Sequence, residues 1–199
     1  MSFEDVASFE HLLKCGEKCC NGCRWKPSIQ NFEMHLLNRT AKNQYLLESG
    51  KYRPMKTNDF VLHERGKARE IKAHHVNDRQ VYKCFSKYEL FPNTENYIME
   101  CNSASQVGKG TDHALNLFRQ GLAHAYKVCK SNNFYVLTCD FHDYFNSIDQ
   151  TLAMKQIDLQ DPRSQRILKE YASLFEQGFG IGGEPSQRIA VTYPSSIDR

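Results

Sequence analysis

Apolar residues recur at helical spacing over much of the chain. Near the N-terminus, Phe3, Val6, Phe9, Leu12 and Leu13 share one side of a helix, which predicts a short helix over residues 1–14. A second helix is predicted from Ser28, its capping residue, to about Leu47, with Phe32, Leu36, Leu37 and Tyr45 as core candidates. Further helices are predicted over residues 76–90, from a cap at Thr111 or Asp112 through Leu115, Phe118, Leu122 and Tyr126, over 168–175, and from about Pro185 onward.

Two regions show strand patterns instead. Residues 60–64 and 68–73 flank the turn residues Arg65, Gly66 and Lys67, which predicts a β-hairpin over about 60–73. Residues 134–139 are short, β-branched and aromatic, which is typical of a buried strand, and Asp140 follows them directly. The pattern Ser147-Ile-Asp-Gln150 resembles a capping box that opens a helix. The predicted fold class is α/β of the α+β kind, mostly helical.

Composition limits the class of protein. The chain has 199 residues, of which 40% are hydrophobic and 25% charged, enough for one fair-sized core or two small ones. It contains no run of about 18 apolar residues, so no transmembrane helix is expected. The first residues carry acids and lack the order of a secretory signal, so a cytoplasmic location is expected.

Positive charge is concentrated in the middle of the chain. Residues 51–87 contain ten Lys or Arg and four Asp or Glu, a net charge of +6, while the whole chain carries +3. The remainder therefore carries −3. A basic block within a globular chain favours a polyanionic partner, and a solvated charged face is the alternative.

Four cysteines crowd into nine residues, in a predicted turn, at Cys15, Cys19, Cys20 and Cys23. Because the chain lacks a signal and has ample hydrophobic residues, reduced thiols are expected rather than a disulfide framework. Zinc usually binds two separated pairs of ligands, and this spacing is too compressed to favour it. The alternative is a set of small, half-buried thiols at a helix end.

Asp140 is the strongest candidate for chemistry on residue type and position. A carboxylate that follows a short apolar strand is held rigidly where a sheet meets solvent. Mg²⁺ prefers carboxylates together with substrate phosphates, so aspartates at such a position suit phosphoryl transfer. An ordinary helix or turn cap is the alternative for a single aspartate.

The segment Asp140-Phe-His-Asp-Tyr-Phe145-Asn-Ser-Ile-Asp149 resembles the first palm motif of reverse transcriptases, those of group II introns, retrons and their bacterial relatives above all. The resemblance implies that Asp140 binds the catalytic Mg²⁺ ions, or Mn²⁺ in their place, and that the carbonyl of Phe141 touches a metal. It also implies that Phe145 is a steric gate against the ribose 2′-hydroxyl, whereas ordinary core packing would equally explain an aromatic residue there.

Three more segments resemble motifs of that family, in family order. Arg65-Gly-Lys67-Ala-Arg69, followed by residues 77–81, is similar to the fingers motif, which implies that Lys67 and Arg69 clamp the triphosphate of the incoming nucleotide; Glu70 stands where most relatives have proline. Residues 103–112 are similar to the loop before the first palm motif. Residues 178–187 are similar to the second palm motif, which implies that Gly182 lets the template or the nucleotide approach the backbone and that Gln187 lies near template and primer.

The resemblance covers about residues 24–199 and implies a right-hand polymerase. Residues 1–130 would form the fingers, and residues 131–199 would form part of a palm with a short antiparallel sheet, ending before the third palm motif and the thumb. That third motif contains an Asp-Asp pair, and the sequence has none. We therefore expect an RNA-directed DNA polymerase, a nucleotidyltransferase, whose 199 residues do not extend a primer alone.

The expected partners are an RNA template, a DNA primer and a dNTP, with no membrane. An unpaired edge of the palm sheet would favour a homodimer. One alternative function is a non-catalytic nucleic-acid-binding remnant, which keeps the basic hairpin and needs no Mg²⁺. Another is a zinc-dependent interaction module built on the N-terminal cysteines.

Overall fold

The computed structural model describes residues 2–64 and 66–198; Arg65 of the predicted hairpin turn lies outside them, as do both terminal residues. The described part is mainly helical with one two-stranded antiparallel sheet, as an α+β class predicts. The N-terminal elements are α1 (Phe3–Ala7), α2 (Phe9–Cys20), α3 (Pro27–Met34), α4 (Leu36–Glu48), β1 (Asn58–Glu64), β2 (Lys67–Ala73) and α5 (Val76–Phe85). A π-helix (Ser86–Leu90), α6 (Phe91–Thr94), a 3₁₀ turn (Glu95–Tyr97), α7 (Thr111–Cys129), α8 (Tyr144–Ser147), α9 (Gln150–Gln156), α10 (Pro162–Ala172), α11 (Glu184–Thr192) and α12 (Ser195–Asp198) follow.

The predicted first helix is two helices, and the predicted cysteine turn is largely helical. Ser8 has extended backbone angles, and its side chain accepts a hydrogen bond from the amide of His11, so α2 starts anew at Phe9. Helix α2 then continues through Cys20. Cys15 and Cys19, four residues apart, are buried on one face of it, because small thiols pack as apolar groups.

The predicted second helix is interrupted at His35, and Pro27 rather than Ser28 begins it. Phe32 is fully buried as expected, but Leu37 and Tyr45 are mostly exposed. Helix α4 instead buries polar side chains. Asn43 donates to Gln80 Oε1 at 2.9 Å, and Gln80 Nε2 donates to Thr40 Oγ1 at 2.8 Å and to the Leu12 carbonyl at 2.9 Å. A polar network thus takes the place of part of the predicted apolar stripe, while Leu36 packs partly buried against apolar neighbours.

The predicted hairpin is confirmed. Strands β1 and β2 pair in antiparallel register from Asn58 opposite Ala73 to Glu64 opposite Lys67. The far edge of β2 meets the glycine-rich loop, where Ile71 and Ile181 form an isolated parallel bridge. The amide of Lys72 donates to the Ile181 carbonyl at 3.2 Å. The base of the hairpin is therefore tied to the loop after α10.

One hydrophobic core joins the N-terminal helices to the C-terminal ones. Its members come from both sides of residue 130 and include Phe3, Leu12, Val81, Phe85, Ile148, Leu168, Tyr171, Phe179 and Ile189. Cys19, Cys20, Ile29, Phe32 and Val76 form a smaller second cluster. The division into fingers and palm at residues 130/131 stays a prediction.

The predicted strand at 134–139 is wrong. These residues are neither strand nor helix, and Tyr135 and Leu137 are 98% and 87% exposed. Within residues 2–64 and 66–198 no segment pairs with them, so the predicted short palm sheet is not formed there. An apolar segment becomes a buried strand only when a neighbour satisfies its backbone groups. The homodimer predicted from such a sheet edge stays a prediction.

Helix α7 is amphipathic as predicted but buries none of its side chains. Of the four residues of its predicted apolar stripe, Leu115, Phe118 and Tyr126 are each about half exposed, and Leu122 is partly buried. Gly110, not Thr111 or Asp112, occupies the capping position. None of the helices in the described ranges, α7 included, combines the length and apolarity needed to cross a membrane.

Candidate functional site

A cleft of about 490 Å³ lies between the hairpin and the turn that carries the first palm-like motif. Strand β2 lines it with Lys67 and Arg69, and helix α8 lines it with Phe145. Gly180 and Ile181 of the glycine-rich loop also border it. The structure therefore brings together three of the predicted site residues, from segments far apart in the chain. We call this space the hairpin cleft.

The hairpin cleft has basic groups that a ligand can reach. Arg69 Nη1 lies 3.6 Å from Glu64 Oε2, and both side chains are about half exposed, at 48% and 51%. Lys67 makes no ion pair with any described residue. An exposed ion pair contributes at most about 1 kcal/mol, so a phosphate can compete for Arg69. Three other lining residues are charged: Lys72 is positive, and Glu70 and Asp143 are negative.

The turn opposite the hairpin is set by Asp143 and Asp149. Asp143 has left-handed backbone angles (φ 46°), and its carboxylate accepts from Asn146 Nδ2 at 3.0 Å. Asp149 caps α9, accepting from the amide of Leu152 at 2.9 Å. The predicted cap at Ser147 is wrong, because that hydroxyl donates to the Tyr144 carbonyl at 2.9 Å, at the end of α8.

The glycine-rich loop docks directly on this turn. The amide of Phe179 donates to the Phe145 carbonyl at 2.8 Å. Gly178 has φ +59°, and a Cβ there would lie 2.5 Å from Asn146 Cα and collide with the Phe145 carbonyl oxygen. Only glycine suits both the backbone angle and the space.

Gly182 is the residue predicted to let the template or the nucleotide approach the backbone. It has φ +126°, and a Cβ there would lie 3.2 Å from the Lys72 carbonyl oxygen. The group that approaches this glycine is thus β2 of the same chain. Its predicted contact with nucleic acid stays a prediction.

A second cleft, of about 460 Å³, is bordered by the next residues of the same loop, Gly182 and Gly183. Gly182 and Gln187 line it together with Arg79 of α5 and Gln106 of the loop before α7. Arg79 is exposed, and the Gln106 amide nitrogen is buried without a hydrogen-bond partner in the described residues. We call this space the loop cleft. The predicted site residues are therefore divided between two adjoining clefts.

His74, which no sequence pattern singled out, borders the loop cleft. It is 7% exposed, and neither ring nitrogen has a hydrogen-bond partner among the described residues. Tyr82 and Tyr171 surround it, with ring centroids 5.1 and 5.3 Å away. Burial, with a smaller contribution from the charge of Arg79, lowers the pKa of His74 to about 4. The imidazole is therefore neutral near pH 7.

Asp140 and Phe141, the predicted metal ligands, lie outside both clefts. Asp140 is exposed on the irregular segment, and Phe141 stacks on Tyr144 with centroids 5.0 Å apart. No three His, Cys, Asp or Glu side chains in the described ranges are placed to hold a metal ion. A two-metal site needs several converging carboxylates, so these residues alone do not fit one.

The N-terminal cysteines make local contacts instead of converging. Cys20 Sγ donates to the Gly16 carbonyl at 3.4 Å, and Cys23 Sγ donates to the Cys19 carbonyl at 3.3 Å. Burial raises the pKa of Cys19 to about 12, so this thiol stays protonated near neutral pH. Thiolates are the form that binds zinc, and the geometry gives no support to a zinc site at Cys15, Cys19, Cys20 and Cys23.

Comparison with known proteins adds no family assignment. No protein-family model matches the chain, and no curated protein matches it significantly. The resemblance to reverse transcriptases therefore depends on the motifs in the sequence alone.

Proposed function

We propose that the chain binds a nucleoside triphosphate and nucleic acid as the fingers and part of the palm of an RNA-directed DNA polymerase. The observation that carries this proposal is the hairpin cleft, in which Lys67 and Arg69 lie across from Phe145. The resemblance assigns these residues to a single substrate, and folding places them around a single space. The polymerase fold itself belongs to the proposal.

The hairpin cleft suits a deoxynucleoside triphosphate. Arg69 offers a planar guanidinium that binds phosphate oxygens in pairs, and Lys67 offers a compact charge. Phe145 lies on the opposite wall, where a rigid ring excludes an added 2′-hydroxyl by volume. The Phe145 carbonyl accepts a hydrogen bond from the amide of Phe179, which fixes the backbone that carries the ring. The cleft therefore supplies charge on one wall and shape selection on the other.

The loop cleft suits the RNA template. Arg79 supplies an exposed positive charge for a phosphate, and Gln106 and Gln187 supply amides for base edges or sugar hydroxyls. The two clefts adjoin along Gly180–Gly183, so a template base and an incoming nucleotide would meet across this loop. The basic block at residues 51–87, which includes both Arg69 and Arg79, steers polyanions toward it.

Nucleotidyl transfer is not assigned to the described residues alone. Asp140 is a single exposed carboxylate, and Mg²⁺ or Mn²⁺ at a polymerase site needs further carboxylates beside it. We propose that the 199 residues bind nucleotide and RNA without extending a primer. Mg²⁺-dependent primer extension by the pure chain would contradict this part of the proposal.

A non-catalytic RNA-binding protein is the second candidate, favoured by the exposed basic residues Lys67, Arg69 and Arg79, which need no metal ion to bind phosphates. It keeps the basic hairpin but has no use for a sugar gate. The two functions differ in their response to nucleotides. Only the polymerase function requires saturable binding of a dNTP in the hairpin cleft.

The decisive experiment measures binding of a fluorescent dNTP and its ribonucleotide counterpart. The double variant Lys67→Gln/Arg69→Gln should weaken dNTP binding at least about tenfold, since each charge-assisted phosphate contact contributes roughly 1.5–3 kcal/mol. Lys42→Gln, an exposed lysine on α4, is the matched control and should bind normally. Phe145→Ala should raise ribonucleotide affinity relative to dNTP. No dNTP binding by the unaltered chain, with RNA binding intact, would favour the second candidate.

A further inference from the structure

Gln150 makes contacts beyond those expected of a capping-box residue. It is the first residue of α9, and its side chain turns back toward the segment after α10. Nε2 donates to the carbonyls of Ala172 at 3.2 Å, Phe175 at 3.1 Å and Gly178 at 2.8 Å. Two amide hydrogens are thus shared among three carbonyl oxygens.

These carbonyls belong to the end of α10 and to the turn that leads into the glycine-rich loop. The last carbonyls of a helix have no partner within the helix and need donors from elsewhere. Gln150 is such a donor for Ala172, and it extends the same support to Phe175 and Gly178. The side chain therefore fixes where the chain leaves α10.

The loop held in this way contacts both walls of the hairpin cleft. Immediately after Gly178, the amide of Phe179 donates to the Phe145 carbonyl at 2.8 Å. Two residues later, the Ile181 carbonyl accepts from the amide of Lys72 on β2 at 3.2 Å. A shift of the loop would therefore move one wall relative to the other.

We propose that Gln150 is a positioning residue that sets the spacing between Phe145 and the Lys67/Arg69 wall for a bound triphosphate. That the ligand is a triphosphate rests on the proposed function. The hold of the Gln150 side chain on the loop, which we call the clamp, does not depend on it. The position needs an uncharged side chain with two donor hydrogens. A glutamate carboxylate would face the carbonyls with acceptors only, and methionine would offer no donor hydrogens.

The test replaces this amide without changing the length of the side chain. Gln150→Met removes the donors, and Gln156→Met is the matched control on the same helix. Gln156 Nε2 also donates to a backbone carbonyl, that of Thr192 at 3.0 Å, and to the Ser195 hydroxyl, away from the cleft. Denaturant unfolding of both variants shows how much each loses in global stability.

The first measurement is hydrogen exchange at the Phe179 amide, which reports docking of the loop without any ligand. Exchange should be at least about tenfold faster in Gln150→Met than in Gln156→Met at matched stability. Equal exchange in the two variants would overturn the clamp.

The second measurement is dNTP affinity, which should fall several-fold in Gln150→Met and stay unchanged in Gln156→Met. Unchanged affinity in Gln150→Met, with faster exchange at Phe179, would overturn the positioning role. If the unaltered chain binds no dNTP, the proposed function fails, and the exchange comparison still decides the clamp.

Discussion

The amide of Phe179 donates a hydrogen bond to the carbonyl oxygen of Phe145 at 2.8 Å. This bond joins the loop that resembles the second palm motif to the turn that resembles the first. It forms only because Gly178, the residue before Phe179, presents no side chain to the backbone of that turn. The relative placement of the two motifs thus depends on one residue without a Cβ.

Gly178→Ala should undock the loop. Alanine at φ +59° is strained by roughly 1–2 kcal/mol, and its Cβ would also displace the backbone of Asn146, so we expect a total loss of roughly 3 kcal/mol. Gly22→Ala is the matched control, because Gly22 has φ +73° with open space around it and should lose only the strain. Urea denaturation measures both losses. Equal losses would mean that the loop accommodates the added methyl group.

Acid should destabilise the protein through His74. The pKa of this buried imidazole is about 4, against 6.5 for the exposed group, so the unfolded chain binds a proton first as the pH falls. The contribution of the neutral imidazole is complete above pH 6.5 and falls by roughly 3 kcal/mol by pH 4. Free energies of unfolding measured from pH 7.5 to 4 should show this decline.

His74→Leu is the variant that isolates this effect, because it keeps the site apolar and removes the titrating group. Its stability should fall less between pH 6.5 and 4 than that of the unaltered chain. Burial raises the pKa of Asp78 and Glu89, so these carboxyls act in the opposite direction as the pH falls, and they remain in both proteins. Parallel pH profiles for the two proteins would show that His74 is accessible to protons in the folded state.

The hairpin illustrates what the sequence predicts well. Gly66, in the turn between the two strands, has φ +77°. Both halves of the pairing lie within sixteen residues, from Asn58 to Ala73. A turn residue and its flanking strands are local, so their pattern in the sequence determines the register. The same pattern predicts basic residues at the tip of the hairpin and on its second strand, whereas the roles of Lys67 and Arg69 come from the resemblance alone.

Residues 134–139 and helix α7 illustrate what a local pattern leaves open. Apolar spacing indicates which side of an element seeks burial, but burial also needs a neighbour. Val136 is 56% exposed and Phe118 is 50% exposed because no described element covers them. The apolar spacing identifies which side chains could be buried, and the fold of the described residues places no element against them.

Gln150 and His74 were missed as site residues for a related reason. The contacts of Gln150 lie more than twenty residues away in the chain, at the end of α10. The capping pattern accounted for Gln150 from its sequence neighbours alone and gave no sign of contacts distant in the chain. His74 is significant only because Tyr82 and Tyr171 enclose it and its nitrogens lack partners in the described residues. Neither property can be recognised from residue type.

The irregular segment between α4 and β1 is held against α5 by one buried carboxylate, that of Asp78. The Tyr52 hydroxyl donates to Asp78 Oδ1 at 2.9 Å, and the Met55 amide donates to Oδ2 at 3.0 Å. Tyr52→Phe leaves Oδ1 with one donor fewer, so we expect a loss of roughly 1–3 kcal/mol. Tyr45→Phe, an exposed tyrosine, should change the unfolding free energy by less than about 0.5 kcal/mol. An unchanged unfolding free energy in Tyr52→Phe would indicate that water replaces the hydroxyl.

Arg79 and the Lys67/Arg69 pair should affect different ligands, since they line different clefts. Arg79→Gln removes one phosphate contact from the loop cleft, so the slope of log affinity against log salt for single-stranded RNA should fall by about one. Its dNTP affinity should stay within about twofold of the unaltered chain, because the guanidinium does not border the hairpin cleft. Lys42→Gln should change neither quantity. An Arg79→Gln variant that loses dNTP binding but keeps its RNA salt slope would reverse the two assignments.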